Sequence, residues 1–188
     1  MRTTQHLSCS CGKTNWSLSA QAPGRHIVCY CKDCQAFARH TGHPEILAPH
    51  GGTHIWQTTP DGLHFTSGAD LNCLRLSPRG LLRWYAACCG SPIANTLPKP
   101  TIPFIGAIVP APAECLGPPK GRVNTDSTRG AVKEKGFEAA GATLIGRAIG
   151  AFFRQKTQSP FFTEEGTPMR DPKVLTLAER NAASTGPA

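Results

Sequence analysis

The cysteines constrain the fold of this chain more than any other sequence feature. There are nine in 188 residues, and seven of them fall into three local groups. The groups are Cys9-Ser10-Cys11, Cys29-Tyr30-Cys31-Lys32-Asp33-Cys34 and Cys88-Cys89. Cysteines in a reducing cytosol seldom form permanent disulfides, and an odd total leaves at least one unpaired in any case. The grouping therefore favours metal binding, with thiol redox chemistry and simple burial as the alternatives.

The expected compartment follows from the hydropathy of the sequence. The first residues, MRTTQHLSCSCG, lack the apolar run of a signal peptide. No apolar stretch approaches the ~20 residues that a membrane span needs. We therefore expect a soluble, cytoplasmic protein with no membrane span. No sequence pattern specifies an oligomeric state.

The spacing within the groups indicates how the sulfurs could converge on an ion. A C-x-x-C loop lets two sulfurs bind one metal at ~2.3 Å, and Cys29 adds a third sulfur from the same six residues. Gly12 follows Cys11 and Gly90 follows Cys89, so the backbone can turn at both places. We expect these first and last groups to meet, because a metal that closes a long loop would stabilise a core of short strands.

The other cysteines and the histidines give weaker signals. Cys73 lies in an alternating segment and Cys115 in a proline-rich turn, so burial or simple exposure explains both better than metal binding does. His40 and His43 follow the second cysteine group and could reach a metal or a substrate. Histidines on surfaces or at helix ends are commoner, and the sequence favours that interpretation.

Hydrophobic periodicity predicts a mainly β fold of short antiparallel strands, with a C-terminal amphipathic helix. Alternating segments separated by PDG, SGAD and SPRG continue to about Thr96. Repeated prolines over 97–119 argue against a long helix or a central strand, and predict an irregular wrap over the core. An apolar stripe from Leu144 to Phe153 predicts the helix, docked on the core. The expected units are a zinc-binding core (1–96), the wrap and helix (97–160) and a loosely ordered tail (161–188).

Three motifs carry a family resemblance. CSCG, CYCKDCQAFARHTG and CCGSPI, in this order, resemble the glutathione-dependent formaldehyde-activating enzyme family, which includes the relatives of centromere protein V. The resemblance covers about residues 5–95. It implies a β-tent fold with two zinc ions per chain. One zinc would be structural and held by four cysteines, and the other would be held by the C-x-C-x-x-C cysteines with an open position.

The family pattern implies a ligand set for each zinc. The second zinc would be held by Cys29, Cys31 and Cys34, and the structural zinc by Cys9, Cys11, Cys89 and a fourth cysteine. The family pattern places that fourth cysteine where this chain has Ala86. We therefore expect Cys88 to replace it, with Cys73 as the reserve. Tyr30 also stands where the family commonly has histidine, so this chain resembles a divergent member whose substrate can differ.

The resemblance implies a carbon–sulfur lyase acting on a small thiol or a thiol–aldehyde adduct of the glutathione and formaldehyde type. Asp33, His40 and His43 are the nearest ionisable residues in sequence, and none is assigned as catalytic. The alternative is a non-catalytic, zinc-stapled binding module. Residues 117–160 hold eight Lys or Arg against three acidic residues, within a net charge of +8. Nucleic acid is the less favoured partner, because these cations are scattered without interleaved aromatic residues.

Overall fold

The computed structural model describes residues 3–136 and 158–185, which form a mainly β structure with two sheets. The strands are β1 (Gln5–Ser8), β2 (Asn15–Leu18), β3 (Gly24–Cys29), β4 (Thr53–Thr58), β5 (Leu63–Ser67), β6 (Leu71–Arg75), β7 (Leu82–Ala86), β8 (Pro92–Thr96), β9 (Ile105–Val109), β10 (Gly121–Val123) and β11 (Lys173–Val174). The helices are α1 (Lys32–His40) and α2 (Leu177–Thr185). No helix in these parts of the chain is long and apolar enough to cross a bilayer.

The strand order confirms the predicted antiparallel character for the first eight strands. The smaller sheet has the order β1-β2-β5, and the larger has the order β10-β3-β4-β9-β8-β7-β6-β11. All neighbours pair antiparallel except β10 with β3 and β11 with β6, which are parallel. Those two parallel pairs place later segments of the chain along both edges of the larger sheet.

The two sheets share one hydrophobic core. Trp16 of the smaller sheet and Trp84 of the larger sheet are both almost fully buried in it, together with Leu63 and Leu82. Burying one large apolar side chain stabilises a fold by about 1.5–3 kcal/mol relative to leaving it exposed. The apolar faces of the two sheets therefore pack against each other, as expected for strands that alternate between apolar and polar residues.

The helix α1 packs on a second apolar cluster. Ala36 and Phe37 are fully buried there against Leu74 and Ile108 of the larger sheet. The helix begins at its N-cap residue Cys31, whose side chain accepts a hydrogen bond from a backbone N–H of the first turn. The first turn of α1 therefore coincides with the second cysteine group.

The proline-rich region differs from the irregular wrap that its sequence predicts. Five consecutive residues, Ile105–Val109, form the buried strand β9, which lies between β4 and β8 in the larger sheet. The prolines nearest to this strand, Pro103 and Pro110, fall just outside it. Every residue of β9 therefore keeps its backbone N–H, and a central position in the ladder is open to it.

The C-terminal segment is attached to the core, in contrast to the loosely ordered tail that its composition predicts. Phe161 is fully buried between Trp84 and Phe65, with ring centroids 5.1 and 5.9 Å away. Farther along, β11 pairs with β6, and α2 packs against α1. Aromatic burial and a sheet edge thus hold a polar sequence in place. The amphipathic helix predicted at 144–153 lies outside the described residues.

Candidate metal centres

Four cysteines, called the first group from here on, converge at one end of the fold. The Sγ atoms of Cys9, Cys11, Cys88 and Cys89 all lie within 4.8 Å of one another. The shorter separations are 3.3 Å between Cys11 and Cys88, 3.6 Å between Cys9 and Cys11, 3.7 Å between Cys9 and Cys88, and 3.8 Å between Cys88 and Cys89. Four sulfurs around a tetrahedral zinc at ~2.3 Å would lie ~3.8 Å apart. The donor set and its spacing therefore fit a closed metal site.

Two turns bring these four cysteines together. Cys9 and Cys11 lie in the turn from β1 to β2, and Cys88 and Cys89 lie in the connection from β7 to β8. A glycine with positive φ follows each pair, with φ of +76° at Gly12 and +82° at Gly90, and most side chains disfavour that conformation. The first group therefore links the smaller sheet to the larger one across 77 residues of chain.

Hydrogen bonds prepare two of the four sulfurs of the first group, those of Cys9 and Cys89, for the thiolate form. Burial raises the pKa of Cys9, but hydrogen bonds, first from the backbone N–H of Thr14 and then from Cys11, outweigh it and leave the pKa lowered. Burial also acts to raise the pKa of Cys89, and hydrogen bonds from Ser10 and Ser91 lower it to about 5. A deprotonated sulfur is the form that binds a metal.

Cys73 does not join the first group. It is buried in β6, opposite Trp84 of β7, and burial raises the pKa of its thiol to about 12. Cys88 joins the group instead, from the connection that follows β7, and the pairing of β7 with β8 has a register irregularity between Trp84 and Tyr85. Of the two fourth ligands that the sequence left open, the geometry brings only Cys88 to the other three.

The second group holds three cysteines at the start of α1. The Sγ atoms of Cys29, Cys31 and Cys34 lie within 4.8 Å of one another. Cys29 ends β3, Cys31 caps α1, and Cys34 lies in the first turn, where its backbone N–H donates to the sulfur of Cys31 at 3.3 Å. Within residues 3–136 and 158–185, no other cysteine, histidine or carboxylate joins this group.

The sulfurs of the second group also receive hydrogen bonds from outside the motif. The side-chain amide of Asn124 donates to Cys29 at 3.4 Å, and the guanidinium of Arg83 approaches Cys34 at 3.9 Å. The pKa of Cys34 is lowered well below its ordinary value, first because the thiols of Cys29 and Cys31 donate to it and then because Arg83 is close. The same sharing of protons raises the pKa of Cys29, which donates to its neighbours. The group thus stabilises negative charge on one of its sulfurs, that of Cys34.

Comparison with protein-family models matches residues 1–112 to DUF6151, a family of unknown function. The chain belongs to this family. The matched region contains both cysteine groups and the strands β1 to β9, so the DUF6151 unit includes the sites described above. A search of curated proteins returned no match.

The helix α1 separates the two cysteine groups of this DUF6151 protein. The second group surrounds its N-terminus, while the residues after its C-terminus meet the first group. There, His43 donates one ring N–H to the carbonyl of Cys89 at 2.9 Å and the other to Glu45 at 2.7 Å. Nine helical residues rise by about 14 Å, so the two groups are separate sites.

The structure places the predicted histidines away from the second group. His43 contacts the backbone of the first group through the carbonyl of Cys89. Burial lowers the pKa of His43, but the hydrogen bonds to Cys89 and Glu45 outweigh this effect and leave the pKa raised. His40 ends α1 and lines a groove with Glu179 of α2. Neither histidine supplies a ligand atom to a cysteine group among the described residues of this DUF6151 chain.

Sequence reasoning missed Asn124 as a neighbour of the second site. Asn124 follows β10 with a φ of +56°, and the parallel pairing of Val123 with Cys29 carries it to the sulfur. Asparagine is one of the few residues that adopt this conformation readily, which is the one local signal available. It lies beyond the part of the chain that matches DUF6151.

Proposed function

We propose that this protein binds two zinc ions and uses the second one in carbon–sulfur bond chemistry on a small thiol or thiol–aldehyde adduct. The observation that carries the proposal is the asymmetry of the cysteine groups, four converging sulfurs in one and three in the other. A structural zinc is closed by four protein ligands, whereas a reactive zinc keeps one position for substrate. The resemblance to the glutathione-dependent formaldehyde-activating family agrees with this division.

The donor chemistry supports zinc as the metal. Both groups offer only sulfur, and a tetrahedral all-sulfur set is typical of zinc or of iron–sulfur centres. The sequestered position of Cys29 and Cys34, both buried, suits a small ion held by preformed ligands. A zinc held by three thiolates would supply a site where a substrate thiol loses its proton and is held as a thiolate.

The proposed reaction moves one proton and makes one bond. The substrate sulfur adds to the aldehyde carbon, so that a C–S bond forms as the π bond of the carbonyl breaks, and the thiol proton is transferred to the aldehyde oxygen, which becomes a hydroxyl group. In the reverse direction the C–S bond breaks and the proton returns to sulfur. Because no electron is gained or lost, the reaction needs no redox partner. The chain must therefore supply only binding, orientation and a group that moves the proton.

Asp33 is the strongest candidate for moving that proton. It lies between Cys31 and Cys34 in the first turn of α1, and its carboxylate contacts Arg83 at 3.8 Å. The carboxylate is 38% exposed, so a substrate or a water molecule can reach it. The histidines that shared this role in the sequence interpretation lie toward the opposite end of α1.

Turnover of glutathione and formaldehyde, in both directions, tests the proposal with the zinc-loaded full chain. We expect the wild type to accelerate formation or cleavage of the adduct, and Cys31→Ser to lose both this activity and one zinc. Cys115→Ser is the matched control, since Cys115 is exposed and belongs to neither group. A wild type that carries two zinc ions and leaves both rates unchanged would refute the proposed chemistry.

A second candidate function, a zinc-stapled binding module, is favoured by a basic surface around β10. Its exposed cations are Lys120, Arg122, Arg129, Lys133 and Lys135, against two acidic residues, Asp126 and Glu134. Such a surface would contact the phosphates of a nucleic acid in a salt-dependent manner. Retention on a nucleic-acid column that falls with salt and survives Cys31→Ser, in a protein without turnover, would favour this module.

A further inference from the structure

A buried arginine lies beside the second cysteine group. Arg83 of β7 is 3% exposed, and its Nη1 is 3.9 Å from the sulfur of Cys34. The same nitrogen donates to the side-chain oxygen of Asn95 at 3.2 Å, and the guanidinium lies over the ring of Phe37. These contacts point the cation from the larger sheet toward the start of α1.

The charge of Arg83 is only partly balanced by carboxylate. Among the residues that the structure describes, Arg83 forms an ion pair with one acidic partner, Asp33, at 3.8 Å. That carboxylate is itself shared, because Arg180 of α2 approaches it at 3.4 Å from the solvent side. A buried cation is costly unless it is paired and hydrogen-bonded. Within residues 3–136 and 158–185, the sulfurs of the second group are the other source of negative charge next to Arg83.

We propose that Arg83 is the charge partner of the metal–thiolate centre at the second site. Three thiolates around a divalent ion leave a formal charge of about −1, which one guanidinium offsets. The negative charge of Asp33 acts against this charge balance, and Arg180 at the surface partly neutralises the carboxylate of Asp33. Arg83 is thus a positioning residue that acts through Cys34. The inference rests on the proposed function only in requiring a metal at this site, and turnover is not needed for it.

Each substitution should change metal affinity and the wavelength of charge transfer in a direction set by the charge that it removes. Without the cation, the negative charge of the metal–thiolate centre is no longer offset and the thiols lose their protons less readily, so metal binding weakens. The energy of the sulfur lone pairs also rises, so thiolate-to-metal charge transfer moves to longer wavelength. Removing the charge of Asp33 acts in the opposite direction. Loss of a residue that orients and stabilises metal ligands typically reduces metal affinity about 10- to 100-fold. We expect that range for Arg83→Met, and a smaller loss for Arg83→Lys, which keeps the charge.

The experiment titrates Co²⁺ and Zn²⁺ into the full chain and records affinity and the charge-transfer spectrum of the second site. The variants are Arg83→Met, Arg83→Lys and Asp33→Asn, with Arg170→Gln as control because its ion pair with Asp70 is on the surface. Asp33→Asn keeps the test decisive if Arg83→Met does not fold, since Asp33 is partly exposed. We expect Asp33→Asn to tighten metal binding and shift charge transfer to shorter wavelength.

Unchanged affinity and spectra in every folded variant, with two metals bound, would overturn the role of Arg83 while leaving the proposed chemistry intact. A wild type that takes up only one metal would overturn both. Normal metal binding with the expected shifts, but no turnover, would support the role of Arg83 and count against the proposed chemistry alone.

Discussion

Loss of the first metal link should cost far more stability than loss of the second. The first group joins Cys11 to Cys88 across 77 residues, whereas the second joins sulfurs only two to five residues apart. Treated as cross-links that restrict the unfolded chain, these loops correspond to about 4.5 kcal/mol for the first group and about 2 kcal/mol for the second. The expected difference is large enough to measure by denaturation.

The perturbation is a pair of double variants, Cys88→Ser with Cys89→Ser, and Cys31→Ser with Cys34→Ser. Each removes enough ligands to break one link. Urea unfolding, followed by tryptophan fluorescence, is measured for each protein with zinc and with a chelator. The zinc-dependent increment in the free energy of unfolding is then compared within each variant. This comparison cancels the intrinsic cost of replacing a thiol by a hydroxyl, which differs between the exposed and buried positions.

The first-group variant should lose the larger part of the zinc-dependent increment, and the second-group variant the smaller part. Cys73→Ser and Cys115→Ser are the buried and exposed controls, and both should keep the full increment. If the first-group variant retained the wild-type increment, Cys88 and Cys89 would not hold a metal that joins the sheets. A larger loss in the second-group variant would equally refute the loop argument.

Two further predictions concern acid stability and the C-terminal segment. Burial and the nearby His26 lower the pKa of His54 to about 4 from its ordinary 6.5, so protonation favours the unfolded chain. The contribution is present above pH 6.5 and is lost as the pH falls toward 4. His54→Gln should flatten the pH dependence of urea unfolding in that window, and an unchanged profile would exclude His54 as its source. Phe161→Ala should destabilise the fold by about 3–5 kcal/mol, because the ring is fully buried. Met169→Ala, at an exposed residue, is its control, and equal melting of the two variants would show that the segment does not support the core.

The sequence was most informative where short-range spacing decides the structure. Cys31 and Cys34 fall together because the first turn of a helix brings such positions close, and the spacing alone indicates this. The turns after Cys11 and Cys89 were likewise signalled by glycines that adopt positive φ. Alternating apolar residues gave the antiparallel strands up to Thr96, since each strand buries one face.

Long-range pairing was beyond what local patterns encode. The flanking prolines led the sequence to predict an irregular segment where strand β9 forms. A proline lacks the backbone N–H of its own position only, so the residues between the prolines can still pair in a sheet. Asn124 reaches Cys29 only through a parallel edge strand, and a parallel partner is not specified by local sequence. Phe161 belongs to a polar, proline-rich segment, so composition predicted a loose tail although one buried ring attaches it to the core.

We propose that this DUF6151 protein carries two metal centres of unequal character, at the two cysteine groups that could hold an ion. Elemental analysis of the full chain, purified without chelator, tests it most directly when combined with thiol counting under denaturing conditions. We predict about two zinc ions per chain in the wild type, one in Cys31→Ser and two in Cys115→Ser. The wild type should show nine free thiols after the metal is removed. A folded wild type without metal, or with disulfides among Cys9, Cys11, Cys88 and Cys89, would contradict it.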